Sequence, residues 1–102
     1  MAKPDETPPG APDEMRELLA LYLGTRRADF ARLDEAFAAG DFATIRAIGH
    51  AFRGSSAPYG FPEAGRIGAA LEEAAARADR AAVEALLPRL RASLPPDGDG
   101  KP

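Results

Sequence analysis

The chain has 102 residues, 45% of them hydrophobic, a formal net charge of -3 and no cysteine. That length holds one domain with a modest core. The acidic balance argues against general nucleic-acid binding, which needs clustered Lys and Arg to meet phosphates, and the missing cysteines exclude disulfides, thiolate metal sites and thiol catalysis.

Residues 1–12 are rich in proline and hold almost nothing apolar, so packing cannot offset their ordering entropy and a disordered leader is expected. Asp13 and Glu14 then suit the start of a helix, and Met15, Leu18, Leu19, Tyr22 and Leu23 follow at helical spacing. Gly24-Thr25 either ends a short first helix, with Thr25 capping the next, or kinks one long helix; the sequence leaves both open. The stripe resumes with Phe30, Leu33, Ala36 and Phe37 and stops at Gly40, while Arg26 and Arg27 read as solvated charges. Asp41 caps a second helix carrying Phe42, Ile45, Ile48 and Phe52 inward. Pro58 loosens or ends that helix, and Pro62 opens a third, running to about Ala78 with Ala64, Ile67, Leu71, Ala74 and Ala78 on its apolar side. Asp79 caps a last helix with Val83, Leu86, Leu87, Leu90 and Leu94 inward, kinked but not broken at Pro88. Residues 95–102 read as a second loose tail.

Short connections and one apolar stripe per helix predict an all-α, antiparallel four-helix bundle with a short additional or kinked N-terminal helix, over residues 13–94. Few β-branched residues agree with that class. No apolar run approaches the roughly 18 residues of a membrane span, and the polar, acidic N-terminus is unlike a signal peptide, so a cytoplasmic protein without a membrane partner is expected.

His50 is the only histidine. At about 100° per residue it points roughly 160° from the centre of the second helix's apolar stripe, into solvent. Ala43, Ala47, Gly54 and Ala57, all small, share its outer face with the cationic Arg46 and Arg53. A bare, positive patch around an imidazole suits a visitor that brings an anion. Gly54, one turn after His50, clears room for such a partner, whereas Gly49, near the border of the stripe, suits close helix packing. Ser55 and Ser56 fall inward, where a hydroxyl can bond the carbonyl one turn earlier.

The run His50, Phe52, Arg53, Gly54, Ser55, Ser56 and Gly60, followed by Leu71-Glu72, resembles the histidine-containing phosphotransfer (HPt) domain of two-component phosphorelays. Arg53 stands where that family usually has lysine: the charge is kept, but a planar fork replaces a compact point. The motif covers about a quarter of the chain, and the helical layout extends the likeness over residues 13–94. The resemblance implies the same bundle, with Ser55, Ser56 and Gly60 as structural parts of the motif. It also implies that His50 is the phosphoacceptor, that Arg53 meets the phosphoryl charge and that Glu72 holds the Nδ1 side of the imidazole. A different loop length between Pro58 and Pro62 would put Glu73 or Gly68 at that last position.

An imidazole near its unperturbed pKa of about 6.5 keeps a lone pair for attack on an electrophile such as an aspartyl phosphate. No G-x-x-x-x-G-K-[ST] or G-x-G-x-x-G run is present, so no autonomous ATP-dependent kinase activity is expected. No acidic cluster suits magnesium; no cofactor is expected on this chain, and the metal belongs in the partner receiver domain. The expectation is a monomeric phosphocarrier between receiver domains and a sensor or hybrid histidine kinase, docking through Arg46, Ala47, Gly54, Ala57 and Gly68. The alternative is a helical adaptor that binds a receiver or kinase without taking phosphate.

Overall fold

The computed structural model describes residues 11–96 and contains four α-helices: α1 (Ala11–Ala39), α2 (Phe42–Ser55), α3 (Pro62–Ala76) and α4 (Arg80–Ala92). A 3-10 turn, Ala57–Tyr59, joins α2 to α3. The expected bundle is formed, and the described residues contain no strand. Leu33 of α1, Ile45, Ile48 and Phe52 of α2, Ile67 and Leu71 of α3, and Val83 and Leu90 of α4 share one buried core.

α1 is one continuous helix through Gly24, so among the described residues there is no separate N-terminal helix. The reason is phase: Leu19, Tyr22 and Leu23 before the glycine pack on the same core as Phe30 and Leu33 after it, at a spacing one unbroken helix satisfies. Arg26 fills the turn between. Its guanidinium lies 5.4 Å from the centroid of Phe52 and its Nε is 3.3 Å from Asp29, which is itself buried. Arg26 is therefore not the solvated charge expected of it, because its stem and planar head cover an aromatic ring. Arg27 is not free either: it donates to the carbonyls of Pro95 and Pro96. Those two prolines, assigned to a loose tail, are tied to α1, and Ala11 and Pro12, assigned to the leader, lie in its first turn. Residues 1–10 and 97–102, the rest of the expected leader and tail, lie outside the described residues.

With 29 residues, α1 is about twice as long as the helices it packs on. Its first turns have little opposite them. Met15 and Leu18, expected to face inward, are exposed, as is Leu21.

The helix ends follow local chemistry. Gly40 takes φ 70°, and Asp41 caps α2 by accepting from the Thr44 amide and hydroxyl. These bonds favour the ionised carboxyl, so Asp41 titrates below its ordinary range. Asp79 caps α4 through the Ala82 amide. α3 ends two residues earlier than expected: Ala78, placed on its apolar side, is exposed in the turn at φ 52°, while the Asp79 amide bonds back to the Ala74 carbonyl. α4 runs unbroken through Pro88. Pro88 and Glu84, whose carbonyl loses its helical donor, are both exposed, so water can take the missing bond.

α2 and α3 meet most closely. A Cβ built on Gly68 would lie 2.5 Å from the Phe52 Cβ and 2.8 Å from the Gly49 carbonyl oxygen; one on Gly49 would lie 2.8 Å from the Glu72 amide nitrogen. Only glycine permits this crossing. Gly68→Ala is expected to destabilise the fold by about 1–3 kcal/mol through overpacking, while Gly54→Ala, with open space around it, is expected to be neutral or stabilising by up to about 1 kcal/mol; urea denaturation checks both. Ala78→Gly is expected to stabilise by about 0.5–1 kcal/mol in the same assay, because it relieves a left-handed alanine.

Candidate functional site

His50 stands midway along α2, with its side chain 67% exposed. The inward phase of Ile48 and Phe52 forces residue 50 outward. Glu72 comes from α3, one turn after Gly68, and the glycine crossing brings its backbone close enough for the side chain to reach α2. Its Oε2 lies 3.1 Å from His50 Nδ1, and its Oε1 accepts from Arg53 Nη1 at 3.0 Å. One carboxylate therefore holds two α2 side chains one turn apart, using one oxygen for each.

Glu72 is the most sheltered of the three, 18% exposed against 56% for Arg53. The bond from Arg53 is the main cause that lowers its pKa below the ordinary carboxylate value, with the bond from His50 adding to it and partial burial opposing. A depressed carboxyl stabilises the folded state above its unfolded pKa, and that contribution is lost as pH falls through the folded value. At neutral pH Glu72 is an acceptor only, so Nδ1 must be the donor. The proton on Nδ1 leaves the lone pair on Nε2, at the far edge of an exposed ring. The arrangement favours one tautomer and leaves Nε2 facing solvent.

Around His50, Ala47, Gly54 and Ala57 are exposed and low, and Gly54 has open space above it. On the α3 side, Arg46, Arg53, Ala69, Glu72, Glu73 and Ala76 line a shallow depression of about 380 Å³. Gly68, expected on the docking surface, is buried against Phe52 and Gly49 and offers nothing to a partner. Of the carboxylates considered for the imidazole, Glu72 reaches it, whereas Glu73 faces Arg77.

The motif residues around the 3-10 turn are part of the framework. Ser55 Oγ bonds the Ala51 carbonyl one turn back, as its position predicts. Ser56 does not repeat this: fully buried, it accepts from the Tyr22 hydroxyl at 2.6 Å. The Tyr22 ring stacks on Tyr59, 4.8 Å between centroids, and burial pushes its phenol above the ordinary value. Gly60 closes the turn at φ 96°. The sequence reading missed a second surface feature: Leu18 and Leu21 of α1 line a shallow groove with Thr25, Ser55 and Tyr59, towards the C-terminal end of α2. Leu21 falls out of phase with the stripe of α1, and that was the signal available.

Among the described residues, no group of three or more His, Cys, Asp or Glu is placed to hold a metal ion, and no helix is long and apolar enough to cross a membrane. The family model for the Hpt domain matches residues 17–95. The chain belongs to the Hpt domain family. Comparison with curated proteins and with solved structures returns no match. Hpt domains are helical bundles that serve histidine phosphotransfer in phosphorelays and interact with receiver domains and kinases. In this Hpt domain the matched segment takes in all of α2 and α3 and so every residue of the His50–Glu72–Arg53 cluster.

The protonation pattern is open to direct measurement. In ¹⁵N NMR spectra at neutral pH, neutral His50 should carry its proton on Nδ1, and Glu72→Ala should shift the population towards protonation on Nε2.

Proposed function

We propose that this Hpt domain is a phosphocarrier. His50 Nε2 accepts a phosphoryl group from the aspartyl phosphate of a receiver domain, free or within a hybrid histidine kinase, or from a sensor kinase, and passes it to another receiver. One observation supports the reading above the others: an exposed imidazole whose Nδ1 is engaged by an ionised carboxylate. In the step from an aspartyl phosphate, the Nε2 lone pair attacks phosphorus, the P–O bond to the acyl oxygen breaks, and its electron pair returns to the aspartate carboxylate. Nδ1 keeps its proton. Positive charge therefore develops on the ring, and Glu72, fixed 3.1 Å away, stabilises it without reorganising. The reverse attack by a second aspartate regenerates neutral His50, which makes one mechanism serve both directions.

The reading places magnesium in the receiver's active site and the exchange in the cytoplasm, with this chain acting as a monomer. Arg46 and Arg53 steer the acidic receiver pocket, and Arg53 meets the arriving phosphoryl oxygens. Ala47, Gly54 and Ala57 allow close approach, and the exposed Leu18 and Leu21 extend the docking surface along α1.

Incubation with a ³²P-labelled receiver tests the proposal. The label should move to this chain in an acid-labile, alkali-stable form and be absent in His50→Gln; label retained on that variant, or none on the native chain from any of the organism's receivers, overturns it. Gly54→Leu should slow transfer by at least about tenfold through obstruction of the docked complex while leaving the urea midpoint within the range of an ordinary surface substitution.

A further inference from the structure

Arg53 lies beside the nucleophile, yet its observed partner is Glu72 and not open solvent: Nη1 is 3.0 Å from Oε1. A carboxylate held by a single hydrogen bond can rotate about its last torsion. One gripped at both oxygens, by groups one helical turn apart on the same neighbouring helix, cannot turn without losing a partner. We propose that Arg53 is a positioning residue that acts through Glu72: Nη1 holds Oε1 so that Oε2 meets His50 Nδ1, while the other edge of the guanidinium is left for the phosphoryl oxygens. This rests on His50 being the phosphoacceptor. It adds a role suited to a fork, since a guanidinium turns separate nitrogens to the carboxylate and to the phosphoryl group, whereas the three donors of an ammonium share one nitrogen.

The consequence is a shift in the Glu72 titration and a looser carboxylate. The charged and titratable groups around Glu72 are His50, Arg53 and Arg46 from α2 and, on α3 itself, Glu73. Arg53 is the first cause of the depressed Glu72 pKa, so its removal lets Glu72 take up a proton at higher pH. Without Arg53 the carboxylate is also held at one oxygen only, can turn about its last torsion, and no longer enforces the lone pair at Nε2.

The test uses the full chain with Arg53→Ala and Arg53→Lys, both at a residue exposed enough for folding to be unaffected, confirmed by thermal denaturation. Two readouts precede any phosphotransfer: the ¹³C titration of the Glu72 carboxyl and the ¹⁵N tautomer populations of His50. In Arg53→Ala the Glu72 midpoint should rise and the Nδ1-protonated population fall. The transfer rate at neutral pH should fall by about ten- to a hundredfold. Arg53→Lys should restore the titration only in part. A native tautomer and native Glu72 titration in Arg53→Ala, with transfer nonetheless reduced, overturns the proposal and leaves Arg53 to the phosphoryl group alone. Failure of the carrier reading appears separately, as a native chain that takes no phosphate whatever its tautomer.

Discussion

The contact on which the molecule depends is the crossing of α2 and α3 at Gly49 and Gly68. Neither position admits a Cβ: each would meet backbone atoms of the opposite helix at under 3 Å. The crossing lies one residue before His50 on α2 and one turn before Glu72 on α3, so it sets how far the carboxylate stands from the ring. A Glu side chain spans only a few ångströms, and a pair of helices at an ordinary separation of 8–10 Å would leave it little margin to reach across. Packing and chemistry are coupled at one place: the same missing side chains that close the core also bring the acceptor to the imidazole.

Electrostatics then separates residues of the same type by environment. Arg53 is exposed, bonded to a half-sheltered carboxylate, and has donors to spare. Arg26 is nearly buried, lies over Phe52 and stands beside the buried Asp29. The first can reorient towards an arriving anion. The second is held by its packing and serves the core, in a slot where α1 would otherwise present an aliphatic side chain. Burial also divides the paired hydroxyls: Ser55, partly exposed, satisfies itself on its own helix, while Ser56, with no access to water, needs a partner and finds it in Tyr22. That bond, with the stacking of Tyr22 on Tyr59 and Phe61, fixes the 3-10 turn that ends α2.

Much of this was legible from local pattern. The four-helix class, the Asp41 and Asp79 caps, the stop at Gly40 and the outward direction of His50 depend on periodicity and on side chains bonding their own backbone, which neighbouring residues determine without help from the rest of the fold. The errors share the opposite origin. A glycine reads as a break unless the apolar phase on either side is known to serve one surface, and so Gly24 was undecided. Arginine reads as solvated until a ring lies beneath it, and so Arg26 was misplaced. Gly68 looked like open surface because its partner, Gly49, is remote in sequence. Met15 and Leu18 looked inward because nothing local says that the partner helices stop short of them.

The sequence by itself determined the elements, the identity of the one imidazole and the face it occupies, because helical period and capping are short-range. Only the tertiary structure decided which carboxylate reaches that ring, that the same carboxylate also holds Arg53, and that the lone pair is left on the far nitrogen. Those are distances between helices, and they come from a close approach that two glycines allow but neither announces alone.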